Sequence, residues 1–231
     1  MFSVIFEVNP KDGQYDHYLG RGKMLRPELE KIDGFIDNIR YRSLTRDGWL
    51  LSLSGWRDEK AVVRWRISTN HHNVQDQGRS GILADYHLRV GQVTADTEVP
   101  AGYALQEQRL DETVAGAGTT VSLITAKRPA HLPESAGAKE CATFLGLDPD
   151  AKGTRGLLAW DVFDAVLTPG DLILLISWRD RASAEIFEKA VALKDGTRLR
   201  RVRIIRDYGM FDRREAPQYY PDAKGRETIH S

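Results

Sequence analysis

The feature that most constrains this chain is an internal repeat with a constant offset. Residues 48–58 (GWLLSLSGWRD) resemble residues 170–180 (GDLILLISWRD), so that Trp-Arg-Asp recurs 122 positions later. The same offset relates further pairs: Gly34 with Gly156, and Asp85-Tyr86 with Asp207-Tyr208. Because rare residues seldom match by chance at one unchanged offset, the 231 residues are expected to form two copies of one structural unit.

The first elements of each copy follow from apolar runs and breaker residues. Runs rich in β-branched residues predict strands over 2–8 and 121–126. Helices are predicted to follow, over 15 to about 32 in the first copy and over 133 to about 147 in the second. Between the two middle strands, Gly48 follows an aspartate, and this Asp-Gly pair indicates a hairpin.

The second helix of the first copy is predicted to begin at Asp58, a residue type favoured at N-caps. Four residues then recur at helical spacing: Ala61, Val62, Trp65 and Thr69. A last strand closes each copy, over 82–93 in the first and 203–211 in the second. This order is the split β-α-β arrangement, so each copy is expected to be an α+β unit of the ferredoxin-like type, β-α-β-β-α-β.

Such a unit has a four-stranded antiparallel sheet with both helices on one face, which leaves the other apolar face uncovered. The sister copy is the simplest cover, so we expect the two sheets to pack against each other as an intramolecular pseudo-dimer. The expected boundaries are 1–98 for the first domain, 99–118 for a polar linker, 119–215 for the second domain and 216–231 for a polar tail. A monomer would satisfy this pairing, and a homodimer stays open.

Composition argues against several classes of function. Lys plus Arg and Asp plus Glu number 33 each, so charge gives no reason to expect nucleic acid or an anionic membrane as a partner. Cys141 is the only cysteine, which excludes an intramolecular disulfide and a thiolate metal cluster. No apolar run reaches membrane-spanning length, and the N-terminal run lacks the basic flank of a signal peptide. We therefore expect a cytoplasmic protein that binds a small molecule and no metal.

Two such units in tandem, with Trp56 after the third strand and with Trp65 and His72 on the second helix, resemble the antibiotic biosynthesis monooxygenase family. The resemblance covers about residues 1–98 and 116–215. It implies a tandem-duplicated member of the dimeric α+β barrel proteins, with both sheets in one barrel. The family includes oxygenases that act on polycyclic aromatic phenols without a cofactor, heme-binding and heme-degrading proteins, and proteins of no known activity.

Trp65 and His72 are the predicted catalytic residues. They lie seven positions apart, two turns of one helix, on a face that also carries small and polar residues: Ala61, Ser68 and Thr69. Such a face can line a cavity, where His72 would act as a base or, in the heme alternative, as the iron ligand. The structural alternative is that Trp65 belongs to the core and that the pair His71-His72 ends a helix in water.

Further substrate-binding residues follow from the resemblance. In heme-degrading relatives an asparagine of the first strand helps to surround the substrate, which implies Asn9 here. In quinone-forming relatives tyrosine and arginine side chains hold the phenol, which implies Tyr86 and Arg79. His71, next to the predicted base, is taken as a fourth substrate-binding residue. The alternatives are a turn role for Asn9, which precedes a proline, and a packing role for Tyr86, which recurs in the second copy.

The second copy lacks the set of residues that could carry chemistry. At the positions of Trp65, His71 and His72 it has Phe187, Leu193 and Lys194. Any reaction is therefore expected in the first half, as an oxidation of a small aromatic or phenolic substrate without metal or flavin. Heme binding through a histidine of the first half and a non-catalytic binding module are the two alternatives.

Titration with hemin separates the heme alternative from the others. For a cofactor-free oxygenase we expect no shift of the Soret band, because no imidazole would coordinate the iron. The matched control is the double variant His71→Ala/His72→Ala. A Soret shift in the wild type that disappears in this variant would contradict the prediction.

Overall fold

The computed structural model describes residues 1–151 and 153–217, apart from the side chains of Thr69 and His72. The strands of this part are β1 (Phe2–Pro10), β2 (Phe35–Ser43), β3 (Leu50–Trp56), β4 (Leu83–Asp96), β5 (Thr120–Lys127), β6 (Leu157–Ala165), β7 (Asp171–Trp178) and β8 (Arg198–Gly209). Its α-helices are α1 (Tyr15–Leu29), α2 (Glu59–Arg66), α3 (Thr69–Gln77), α4 (Ala138–Phe144) and α5 (Arg181–Ala190), and a π-helix spans Gly78–Ile82. Most of the predicted tail, 218–231, lies outside the described residues. None of the described helices is long and apolar enough to cross a membrane.

The strands form one closed antiparallel barrel in the order β1-β3-β2-β6-β7-β5-β8-β4. Each half contributes a four-stranded sheet, which confirms the predicted α+β fold of two tandem ferredoxin-like units. The halves join edge to edge: β4 pairs with β8 along nearly the whole of both strands, and β2 pairs with β6 over a shorter stretch. The two sheets therefore face each other as expected, and their edges are also hydrogen-bonded.

Inward-pointing residues of both halves fill the barrel. Ile5, Leu51 and Leu53 of the first half pack in one cluster with Leu123 and Leu175 of the second, and none of them is more than 3% exposed. Successive residues of a strand point to opposite faces, so the same strands carry a second apolar face on the outside. The helices cover that outer face. A cavity remains wherever the side chains of the helices and of the sheet do not fill the space between them.

The two tryptophans that the repeat retains are core residues of the outer layers. Trp56 and Trp178 are at most 1% exposed and lie in two separate clusters, one in each half. Each indole N–H donates to a serine hydroxyl, that of Trp56 to Ser54 at 2.9 Å and that of Trp178 to Ser122 at 3.0 Å. The equivalent tryptophans therefore serve the packing of both copies.

A buried ion network crosses between the halves at one end of the barrel. Glu7 accepts hydrogen bonds from Arg89 and from Arg46, the latter at 2.6 Å, and Arg46 also donates to Asp161 of the second half at 2.8 Å. Burial by itself would raise the pKa of the Glu7 carboxyl, but the charges of Arg89 and Arg46 hold this pKa below its ordinary value. Ionised Glu7 therefore stabilises the fold above the ordinary glutamate pKa, and this contribution is lost as pH falls through the lower folded value.

The helical region after β3 departs from the sequence prediction. Helical spacing predicts one helix that carries both Trp65 and His72, but the chain forms α2, a break and then α3. Ile67 ends α2, and Ser68 has an extended backbone (φ −62°, ψ 136°) as the residue that precedes α3. The prediction that Trp65 and His72 share one helix face is therefore wrong. The break fits a run rich in β-branched residues, which favour helix less, followed by a serine at an N-cap position.

The first helix of the second half is shorter than predicted. It occupies only Ala138–Phe144 of the predicted stretch. Before it, the N–H of Gly137 donates to Glu140 at 2.8 Å. After it, Gly146 has φ 97°, a conformation that glycine adopts at helix ends without steric cost. Pro133 consequently lies in the loop, where its carbonyl accepts a hydrogen bond from Arg128 at 2.8 Å.

The ion network predicts an effect on stability. We expect Glu7→Gln to lower the free energy of unfolding by about 3 kcal/mol, because the buried guanidinium group of Arg89 and the partly exposed one of Arg46 lose their shared carboxylate. The measurement is urea denaturation at pH 7. The control is Glu30→Gln, which removes an exposed pair with Arg26 and should change stability by less than about 0.5 kcal/mol. Equal effects of the two substitutions would contradict the prediction.

Candidate functional site

A cavity of about 480 Å³ lies between the outer face of the first sheet and the helices that cover it. Its walls come from β1 to β4 and β8 on one side and from α1, α2, α3 and the π-helix on the other, and the segment after β8 also contributes. Apolar residues make up much of the lining, among them Phe6, Leu25, Val63, Leu83 and Leu88. A mostly apolar cavity of this size with a few polar groups is typical of small-molecule sites.

The equivalent layer of the second half is packed. Phe187 takes the position of Trp65, and its ring centroid lies 5.1 Å from that of Trp178. Lys194, at the position of His72, places its ammonium group 4.6 Å from the centre of the Phe144 ring. Within the described residues, the two copies of the helix layer thus differ: the first is open and the second is filled by its own side chains.

The cavity wall contains a stacked pair, Trp65 and His71. The two rings are nearly parallel, with centroids 4.3 Å apart and an angle of 13°. Nδ1 of His71 lies 3.0 Å from the carbonyl oxygen of Trp65, which can only accept, so Nδ1 carries the proton of this hydrogen bond. The side-chain nitrogen of Gln75 lies 3.4 Å from Nε2 of the same ring. With Nδ1 as the donor, a neutral His71 ring has its lone pair on Nε2.

His72, the predicted base, has its backbone in α3 while its side chain lies outside the described residues. Its assignment as base, or as iron ligand in the heme alternative, stays a prediction. Among the described residues, no group of three or more His, Cys, Asp and Glu side chains is placed to hold a metal ion.

A second polar group in the wall centres on the hydroxyl of Tyr86. It accepts one hydrogen bond from Nη1 of Arg79 at 2.7 Å and another from Nη1 of Arg213 at 2.5 Å. Arg79 belongs to the π-helix, a rare element that is frequent at functional sites. Tyr208 lies beside them in the lining, and burial, reinforced by the neighbouring Tyr86, raises its pKa to about 12.

Sequence reasoning missed Arg213, because the Arg-Arg pair in which it occurs is typical of a solvated strand end. The pairing of β4 with β8 places Tyr208 opposite Leu88, and the chain that leaves β8 therefore passes over the first-half cavity. The signal available in the sequence was the repeat itself. Antiparallel pairing of equivalent last strands would bring the end of the second copy beside Tyr86.

Asn9 does not line the cavity. It lies at the end of β1 opposite Asp85, and its side-chain oxygen approaches Gly48 of the β2–β3 turn. The structure thus brings Trp65, His71, Arg79 and Tyr86 to one cavity and leaves Asn9 apart from them. Since Asn9 is not part of this lining, the cavity gives no support to the prediction that Asn9 contacts the substrate.

Two sequence comparisons bear on the family. The family model described as antibiotic biosynthesis monooxygenase matches residues 1–77, which include β1 to β3, α2 and α3. A protein of Pyricularia oryzae named jasmonate monooxygenase ABM is 50% identical over 227 residues, which are 96% of this chain and 100% of that protein. The similarity to this relative therefore extends over both halves and the linker.

Solved structures show weaker similarity. The match to a conserved protein from Methanosarcina mazei Go1 has 21% sequence identity and a TM-score of 0.36. It covers 38% of this chain and 88% of that protein. The match to an anthrone oxidase-like protein has 12% sequence identity and a TM-score of 0.31. It covers 90% of this chain and 92% of that protein. Similarities at these scores support no conclusion about this chain.

The cavity predicts unequal roles for two tryptophans. We expect Trp56→Ala to lower the free energy of unfolding by about 3–5 kcal/mol, because Trp56 is 1% exposed and packs in a core cluster with Phe2 and Leu29, although it also borders the cavity. Trp65→Ala should cost less than half as much, since Trp65 is only partly buried and faces a cavity that already exists. Urea denaturation of both variants is the measurement. Equal losses would mean that Trp65 is a core residue.

Proposed function

Since this chain belongs to the antibiotic biosynthesis monooxygenase family, we propose that it transfers an oxygen atom from O₂ to a small, mostly apolar molecule in the first-half cavity. The observation that carries the proposal is the open cavity with the stacked pair Trp65 and His71, in the segment that the family model matches. The packed second half supports a single reactive site per chain.

The substrate is proposed to have an apolar body and a carbon atom whose C–H is acidified by a neighbouring carbonyl or phenol. The name of the Pyricularia oryzae relative makes jasmonate, a cyclic ketone, the first compound to test. A phenolic anthrone is the second, because it presents an acidic methylene group on an aromatic body. Either body would be desolvated by apolar walls such as Phe6 and Leu88.

The proposed reaction uses neither metal nor flavin. A base removes a proton from the activated CH₂ group, and the resulting carbanion reduces O₂ directly. Conversion of CH₂ to C=O supplies four electrons, which reduce both oxygen atoms, one retained in the product and one released as water. The reaction therefore balances with substrate and O₂ alone. An enclosed apolar site favours this chemistry because it excludes water from the carbanion.

We assign the base to His71. Its Nδ1–H is held by the Trp65 carbonyl, and the stacked indole fixes the plane of the ring, so that Nε2 keeps one orientation. The sequence-based assignment to His72 is the alternative that the same experiment decides. Trp65 forms the wall against which the substrate would lie.

The test is incorporation of ¹⁸O₂ by protein treated with a metal chelator, with jasmonate and a phenolic anthrone as substrates. We expect one labelled oxygen in the product of at least one compound. His71→Ala should reduce turnover by about 10²–10⁴-fold, the usual contribution of a general base. Lys194→Ala is the matched control at the equivalent site of the second half and should leave turnover unchanged.

Each possible result has a separate meaning. If the wild type incorporates no label from either compound, the proposed reaction is wrong. Loss of turnover in His72→Ala with full turnover in His71→Ala would transfer the role of base to His72. Turnover that is abolished by the chelator and restored by a metal ion would overturn the cofactor-free chemistry while leaving the monooxygenase assignment in place.

A further inference from the structure

The sheet side of the first-half cavity carries a polar group that has no equivalent in the second half. Asn38, Arg40 and Ser52 all line the cavity, and Arg40 lies opposite Ser52 in the register of β2 and β3. At the equivalent positions, 122 residues later, the second half has apolar or aromatic side chains: Trp160, Val162 and Leu174. Because partly buried polar groups cost free energy, this polar floor of the cavity has a reason other than packing.

Hydrogen bonds orient two members of the polar floor. The side-chain nitrogen of Asn38 donates to the hydroxyl of Ser52 at 3.0 Å and to the carbonyl of Leu53 at 3.2 Å. Ser52 thus accepts one hydrogen bond, and its own hydroxyl hydrogen remains available as a donor. The polar floor therefore offers donors to a ligand, the hydroxyl of Ser52 and the guanidinium group of Arg40.

The guanidinium group of Arg40 is held against α1. Burial raises the pKa of the Tyr18 hydroxyl, and the charge and the hydrogen bond of Arg40 act against this increase, so the two side chains are in contact. The guanidinium group also lies against Gly22, where a Cβ would come within 2.5 Å of Cζ of Arg40. Glycine inside a helix costs stability, and the space that Arg40 occupies explains its presence here.

Negative charge is scarce around the polar floor. Within the described part of the chain, Arg40 forms no ion pair and its Nε has no hydrogen-bond partner. Glu59 is the only acidic residue among the described residues of the lining, and its carboxylate accepts two hydrogen bonds from Arg109 of the linker, at 2.8 and 2.9 Å. A guanidinium group in a mostly apolar cavity, where water screens charges weakly, therefore favours a ligand oxygen that becomes negative.

We propose that Arg40, assisted by Ser52, binds the substrate oxygen on which negative charge develops when the activated CH₂ group loses its proton. The proposal rests on the proposed function and narrows its substrates to ketones and phenols whose carbanion is an enolate or a phenolate. The C–H bond breaks, its electron pair forms a C=C bond, the π electrons of the carbonyl move to the oxygen, and the proton goes to the base. A charge-assisted hydrogen bond is stronger to this oxyanion than to the neutral carbonyl, so Arg40 favours the loss of the proton.

The test uses para-nitrophenol, whose ionised form absorbs visible light, as a stable analogue of the oxyanion that needs no turnover. The measurement is a spectrophotometric pH titration of the bound ligand. We expect the wild type to lower the pKa of the bound phenol by about one to three, the usual effect of an opposite charge in close contact. Arg40→Met should remove most of this change. Arg40→Lys should retain part of it, because lysine keeps the charge without the planar fork.

Two glycines of α1 provide a matched pair of variants. Gly22→Ala should displace the guanidinium group of Arg40 and reduce the pKa change of the bound phenol, although the charge stays in the protein. Gly20→Ala is the control, because nothing lies within 4 Å of a Cβ placed there. Both substitutions raise helix propensity, so a difference between them reports on Arg40. Arg42→Met, which removes an exposed arginine paired with Asp164 outside the cavity lining, should leave the bound phenol unchanged.

The outcomes separate this proposal from the proposed function. Full retention of the pKa change in Arg40→Met, or equal effects of Gly22→Ala and Gly20→Ala, would overturn the assignment to Arg40. If the wild type binds para-nitrophenol only in its neutral form, or not at all, the oxyanion site is wrong, and incorporation of ¹⁸O₂ decides independently on the proposed function. A lowered pKa of the bound phenol without incorporation of label into any compound would overturn the proposed reaction and keep the oxyanion site.

Discussion

The rest of the structure depends on the hydrogen bonds that join the last strands of the two copies. Unpaired sheet edges are open to association with other chains, and a duplicated unit has four of them. The pairing of β4 with β8 and of β2 with β6 uses all four and closes the barrel. Closure buries one face of every strand against the other half. The helices then need to cover only the outer faces, and the cavity lies in that outer layer.

Duplication also allows the two helix layers to differ. A barrel that both halves hold together tolerates an imperfectly filled layer on one side, because the second half still has a complete core around Trp178. In the first half, α3 and the π-helix follow the interruption at Ser68 and form part of the cavity wall, and they do not fill the space. A complete core in the second copy thus coexists with a cavity in the first.

Two polar groups of the cavity differ in how far apart their residues lie in the sequence. Trp65 and His71 are six positions apart, and their stacking depends on the local turn between α2 and α3. Tyr86 and Arg213 are separated by 127 positions and meet only because β4 and β8 are neighbours. The site therefore belongs to the whole chain, although the residues that the family model matches all lie in the first third. The second half also supplies part of the cavity lining.

The sequence by itself determined the duplication, the type of unit and the half in which the cavity lies. These follow from the constant offset, from apolar runs rich in β-branched residues, and from the absence of Trp65 and both histidines in the second copy. Strand positions were predictable because the preference of β-branched residues for strands is local and the barrel agrees with it. Only the tertiary structure showed that the helix is interrupted between Trp65 and His72. Helical spacing in the sequence assumes one continuous helix and does not reveal the interruption. It alone placed Arg213 beside Tyr86, because that contact depends on strand pairing between the copies and not on neighbouring residues.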